Sequence, residues 1–110
     1  MHLTWQELLL KAAQLIEEHG LNKGWFINET TGCLCVIGAL NVASGSPDGL
    51  SPAIPNVISF NEACNQLEKY LSHKPGIPYA DGAVVISKWN DRSTTTKEIV
   101  IDALKGAAEL

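Results

Sequence analysis

Residues 4–20 read TWQELLLKAAQLIEEHG, and this stretch predicts the best defined element of the fold. Thr4, followed three residues later by Glu7, forms a capping box in which hydroxyl and carboxylate each accept a backbone N–H of the first turn. Apolar residues then recur at helical spacing, at Trp5, Leu8, Leu9, Ala12, Leu15 and Ile16. Gly20 is placed to end the element in a left-handed conformation, so we predict a helix over residues 5–19.

The same signals recur twice further along the chain. Ser59 with Glu62, and Thr95 with Glu98, repeat the capping-box spacing. They predict a third helix that runs to about residue 72 and a fourth that runs to near the C-terminus. The predicted apolar faces are Phe60, Cys64, Leu67, Tyr70 and Leu71 in the third helix, and Ile99, Val100, Ala103, Leu104 and Ala107 in the fourth.

A second helix is predicted between these elements, over the apolar run 35–44. Gly45 follows the run as a stop signal, and Gly38 within it indicates close packing, since glycine inside a helix costs about 1 kcal/mol against alanine. Residues 24–36 are extended in character around a turn at 28–32, which leaves room for a short β-hairpin. The Pro-rich residues 45–58 and the stretch around 75–78 are predicted loops.

Residues 80–89 are ambiguous between two structures. The β-branched run 84–86 favours a strand, whereas Asp81 is placed to cap a short helix that ends at residues 89–90, and the helix is slightly favoured. The resulting prediction is a mostly α fold, a compact bundle of about four helices, in a single domain over residues 1–110.

The composition excludes several function classes. The chain has 110 residues, of which 45% are hydrophobic and 18% charged, with a net charge of -4. Its basic residues are scattered, so neither a nucleic acid nor an anionic membrane surface is an expected partner. The N-terminus is amphipathic and does not resemble a signal peptide, and no apolar run is long enough to span a bilayer. We therefore expect a cytoplasmic protein with free thiols.

Cys35 is the candidate catalytic residue. A thiol at the start of the second helix would lie near the positive end of the helix dipole, which lowers the pKa and favours the thiolate. Such a nucleophile also needs a base, and the chain offers only His2, His19 and His73, none of them in an ordered apolar setting. The alternative is that Cys35 is a small buried apolar side chain.

Binding residues form a second set of candidates. Trp89, Asn90 and Asp91 either line a ligand pocket or form a turn that braces the core, and Trp25 beside a loop is typical of an anchor for a protein partner. A metal site from Cys33, Cys35 and Cys64 is disfavoured because the first two cysteines are separated by a single residue. No metal and no cofactor are predicted.

Three segments together carry a family resemblance: CVIGAL at 35–40, WND at 89–91, and Thr95 with Glu98 at the last helix. With the capped first helix and the turn at 24–25, they resemble a family of small uncharacterised proteins common in actinobacteria and their phages. The resemblance covers most of the chain and implies no known activity. It implies that a shared role lies at Cys35, Gly38, Asn90 and Asp91. Residues 92–94 depart from it, since the family tends to have Pro-Gly-Arg there.

The sequence favours a non-catalytic binding or interaction module over an enzyme, because no complete acid–base or nucleophile set is present. The partner would be a protein, and a phage or accessory role is what the resemblance suggests. The alternative is a small cysteine-dependent hydrolase or transferase that uses Cys35. A homo-oligomer formed through the apolar helix faces is a further possibility.

Overall fold

The computed structural model describes residues 3–22, 34–46, 51–72, 86, 89–91 and 95–110. Four helices have defined bounds within these ranges: α1 at Trp5–His19, α2 at Val36–Ser44, α3 at Val57–Ser72 and α4 at Lys97–Ala108. Ile86 and residues 89–91 are also helical. The predicted mostly α fold is confirmed.

Helix α1 begins and ends at the predicted residues. The Thr4 N–H donates to Glu7 Oε1 at 3.0 Å and the Glu7 N–H donates to Thr4 Oγ1 at 3.1 Å, so both halves of the capping box are formed. Gly20 follows with a φ of 92° and a ψ of 165°. This φ favours glycine, but the predicted left-handed helical conformation is wrong, because the chain leaves α1 extended and pairs Leu21 with Leu34 in a parallel bridge.

The starts of α3 and α4 differ from the predicted capping boxes. Helix α3 begins at Val57, so Ser59 is inside the helix; its first turn closes where the Phe60 N–H donates to the Asn56 carbonyl at 2.8 Å. Helix α4 is capped by Thr96, whose hydroxyl accepts the Ile99 N–H at 3.3 Å, while Thr95 is buried. Where two hydroxyl residues adjoin, their burial and the tertiary contacts decide which one caps the helix.

One hydrophobic core joins all four helices. Helix α1 packs against α4, α2 and α3, and α3 packs against α4. The fully buried large side chains include Leu8, Leu9, Ile16, Leu40, Leu67, Leu71, Ile86 and Leu104. The predicted apolar faces of α3 and α4 are confirmed except at Ile99, whose side chain is 45% exposed while the adjacent Val100 is fully buried.

A glycine permits the close approach of α3 and α4. A Cβ at Gly106 would lie 2.5 Å from the ring of Tyr70, so any side chain there would displace the ring. The sequence had suggested this role for Gly38, which is buried in α2. Because Tyr70 and Gly106 lie near the C-terminal ends of their helices, those two ends lie together.

Two predicted segments fall largely outside the described residues. Of the hairpin predicted within 24–36, residues 24–33 are outside them; Leu34 takes part in the bridge to Leu21 and Val36 is already helical. Of the ambiguous segment 80–89, Ile86 and Trp89 are helical. Among the described residues, no helix has the length and hydropathy needed to cross a membrane.

Candidate functional site

Cys35 occupies the N-cap position of α2. Its backbone is extended, with φ −78° and ψ 171°, and its Sγ accepts the Gly38 N–H at 3.3 Å. A thiol is a weak acceptor, and Ser, Thr, Asp and Asn are the usual caps. The residue is 8% exposed, so a small side chain fills this corner of the fold and satisfies one backbone donor of the helix.

Asn90 joins three separate segments at this end of α2. Its Oδ1 accepts the Val36 N–H at 2.9 Å, and its Nδ2 donates to the Asn22 carbonyl at 2.9 Å and to Asp91 Oδ1 at 3.1 Å. The side chain is 2% exposed. Because the first N–H groups of a helix have no partner within it, Asn90 supplies from a distant part of the chain what a local cap does not.

The surroundings of Cys35 oppose the thiolate. Burial raises the pKa of its thiol, and the nearby Asp91 carboxylate raises it further, while N–H groups at Gly38 and Ile37 act in the opposite direction. The expected lowering of this pKa by the helix dipole is therefore wrong, because desolvation outweighs the backbone donors. Cys64 on α3 is also buried, and its pKa is raised to about 12. Both are free cysteines, as predicted.

The predicted site residues thus divide into a buried and an exposed group. Cys35, Asn90 and Asp91 converge on the start of α2; Trp89 is 4% exposed and packs in the core, whereas Asp91 is exposed. His19 is exposed at the end of α1. Trp25, Cys33, His2 and His73 lie outside the described residues. A direct contribution of Trp25 or of residues 89–91 to ligand binding stays a prediction.

A second asparagine, Asn56, holds the opposite end of α2. Its Nδ2 donates to the Ser44 carbonyl at 2.7 Å, and its Oδ1 accepts the Leu3 N–H at 2.8 Å. Helix α2 ends at Gly45, whose φ of 115° and ψ of 3° are the predicted left-handed stop. Two buried asparagines, both later in the sequence than α2, therefore hydrogen-bond to the two ends of this helix.

A cleft lies at the Asn56 end of α2. It has a volume of about 260 Å³ and is lined by Leu3, Lys11, Ala43, Ser44, Gly45, Ala53, Pro55 and Asn56. Three neighbouring residues, Ile54, Val57 and Ile58, are 86%, 37% and 85% exposed. We call these three the apolar patch. Sequence reasoning missed it, because residues 45–58 were assigned to a loop from their prolines and glycines.

No metal site is formed by the part of the chain that the structure describes. Within those ranges no three His, Cys, Asp or Glu side chains are grouped so that they could hold an ion. Cys35 caps α2 and Cys64 is buried on α3, so the two thiols lie on different helices.

The comparisons with known proteins place the chain in a family without assigning it an activity. The model of a family of unknown function, DUF6197, matches residues 1–110, so the chain belongs to this family. No curated protein matches the chain, and no solved structure does. The predicted membership of a family without a known activity is confirmed, whereas the predicted range in actinobacteria and their phages stays a prediction.

Alkylation tests the state of Cys35. With iodoacetamide at neutral pH, we expect Cys35 in the folded protein to react about 10-fold or more slowly than in the urea-unfolded chain, because burial both blocks the reagent and raises the thiol pKa. Cys64 should be slower still, and serves as the internal reference. All three cysteines lie in one tryptic peptide, so fragmentation in the mass spectrometer must assign the modified thiol.

An opposite result would change the interpretation of this site. If Cys35 reacted faster in the folded protein than in the unfolded chain, the thiol would be activated, and the cysteine-dependent alternative would replace a structural role.

Proposed function

We propose that this chain is a small non-catalytic binding module whose docking surface is the apolar patch. The observation that carries the proposal is the exposure of three large apolar side chains within five residues, Ile54, Val57 and Ile58. Single exposed apolar residues are ordinary, but a group beside a cleft is typical of an interaction surface. Burial of one isoleucine is worth about 1.5–3 kcal/mol, so a partner that covers Ile54 and Ile58 gains a substantial part of its binding free energy there.

The environment at the other end of α2 supports a structural role in preference to catalysis. Both polar atoms of the Asn90 amide are engaged within the fold, and the Cys35 thiol is buried with a raised pKa. The specific observation that favours a cysteine-dependent hydrolase or transferase is the convergence of Cys35, Asn90 and Asp91. That chemistry would require the thiolate, which this environment disfavours.

The proposed partner is a protein. The net charge of -4 and the scattered basic residues make nucleic acids and anionic membranes poor partners. A cytoplasmic location and a phage or accessory role belong to the same proposal and rest on the sequence alone.

The experiment compares three immobilised proteins: the natural chain, the double variant Ile54→Ser/Ile58→Ser, and the control Leu110→Ser. We expect the natural chain and the control to retain the same protein from a lysate of the encoding organism, and the double variant to lose it. Leu110 is a suitable control because it is 60% exposed and lies away from the patch. It follows the end of α4, where Gly106 lies against Tyr70, and Tyr70 is near the end of α3 opposite to the patch. Bound proteins are quantified by mass spectrometry, and circular dichroism verifies that each variant is folded.

Equal retention of every protein by the double variant and the natural chain would contradict the proposal. Because both isoleucines are almost fully exposed, their replacement should leave the fold intact. A loss of binding would therefore report on the patch itself.

A further inference from the structure

We infer that the partner docks through a peptide segment that combines apolar side chains with an acidic one, whose carboxylate pairs with Lys11 in the cleft. This inference rests on the proposed function and specifies the chemistry of the partner. The apolar patch adjoins the cleft along the chain, since Ala53, Pro55 and Asn56 line the cleft while Ile54, Val57 and Ile58 alternate with or follow them. A single bound segment can therefore contact both.

Most polar groups of the cleft are already hydrogen-bonded within the fold, and Lys11 is the exception among the described lining residues. The Ser44 hydroxyl donates to the Asn41 carbonyl at 2.6 Å and accepts the Ala53 N–H at 2.8 Å. The Asn56 amide binds Leu3 and Ser44. Lys11 is exposed and is the sole charged residue among the described lining of the cleft, and its ammonium has no carboxylate partner in the described ranges.

Lys11 can pair with a carboxylate from a partner even though Glu7 lies on the same face of α1. Glu7 lies one turn before Lys11 on the same face, but its Oε1 is the acceptor of the Thr4 N–H in the capping box. A lysine ammonium offers three donors, and the remaining wall is apolar or already hydrogen-bonded. An anionic group flanked by apolar ones is the ligand chemistry that complements such a wall.

The size of the cleft favours a side chain over a free small molecule. Its volume of about 260 Å³ lies below the roughly 300–1,000 Å³ of pockets that enclose drug-sized ligands or cofactors. One acidic side chain, with its neighbours on the apolar patch, fits this scale. The observations therefore favour a protein segment as the occupant.

Selection of short random peptides displayed on phage tests the inference. We expect peptides retained by the natural chain to be enriched in Asp or Glu adjacent to Leu, Ile or Phe. With Lys11→Glu as the bait, the preference should invert to Lys or Arg with the same apolar neighbours. The matched control is Lys105→Glu, which makes the same charge change at an exposed position near the end of α4 and should select the same peptides as the natural chain. Binding of a selected peptide should weaken several-fold from low to high salt.

The outcomes separate the inference from the proposed function. Peptides that depend on Ile54 and Ile58, but carry no acidic residue and are unaffected by Lys11→Glu, would overturn the inference and leave the docking surface standing. If no selected peptide depended on Ile54, Ile58 or Lys11 for binding, both the inference and the proposed function would be overturned.

A second copy of the chain is the competing occupant of the patch. Light scattering on the same preparations measures it. A dimer that dissociates in Ile54→Ser/Ile58→Ser would place another copy on the patch and overturn the inference. A monomer that binds the acidic peptides supports it.

Discussion

Replacing Asn90 by alanine is expected to lower the free energy of unfolding by about 3 kcal/mol, because two groups would lose their partner and each buried, unsatisfied group costs about 1–3 kcal/mol. These groups are the Val36 N–H and the Asn22 carbonyl, both 2.9 Å from the Asn90 amide. For a domain of this size, the midpoint of thermal unfolding should fall by about 10–15 °C. Urea and thermal denaturation followed by circular dichroism measure both quantities.

Asn65→Ala is the matched control for this change. Asn65 is exposed on α3, so the same substitution should alter the free energy of unfolding by less than about 0.5 kcal/mol, helped by the higher helix propensity of alanine. If Asn90→Ala were as stable as this control, the hydrogen bonds of Asn90 would not brace the start of α2. Asn90 would then be available for a role in binding or catalysis.

Replacing Asn56 by alanine is expected to cost about 2 kcal/mol, because the Ser44 carbonyl and the Leu3 N–H lose their partner at a less completely enclosed site. Asn56→Asp keeps an acceptor for the Leu3 N–H but places a buried carboxylate oxygen against the Ser44 carbonyl, so at neutral pH its stability should be no higher than that of the alanine variant. Urea denaturation measures the loss for each variant.

The location of the faster hydrogen exchange in Asn56→Ala distinguishes a local role of Asn56 from a general loss of stability. Amide hydrogen exchange should accelerate most in the last turn of α2 and the first turn of α3, next to the cleft, and least in the centre of α1. Asn61→Ala, at an exposed position on α3, is the control and should leave exchange unchanged. If amide hydrogen exchange accelerated equally in all helices, a local stabilising role of Asn56 at the end of α2 would be contradicted.

Both asparagines hydrogen-bond to α2, and this explains how so short a helix can be stable with most of its residues buried. Nine residues make a helix of about 13 Å, which is marginal by itself in water. Its apolar side chains are buried by α1 and α3, and its two ends are hydrogen-bonded by residues that follow it in sequence. The cleft and the start of α2 lie at opposite ends of this helix, so substitutions at one end can be tested without altering contacts at the other.

The sequence alone predicted the elements whose signals are local. The capping box and apolar spacing gave the bounds of α1, and Gly45 gave the end of α2, because hydrogen bonds within one turn and the conformational freedom of glycine depend only on neighbouring residues. The buried faces of α3 and α4 followed from helical periodicity. Cys35, Asn90 and Asp91 were singled out from motifs, and the structure brings them together.

The tertiary structure decided the features that depend on distant residues. Asn56 and Asn90 are ordinary turn-forming residues in sequence, and their roles arise because folding places them at the ends of α2, whose terminal groups need partners. The pKa of Cys35 is raised and not lowered, since burial by the whole fold outweighs the local effect of a helix N-terminus. Lys11 of α1 and Pro55 and Asn56, which precede α3, line one cleft only because folding brings these distant segments together. Local sequence determines which residues form helices, but the solvent exposure and partners of each side chain are determined by the chain as a whole.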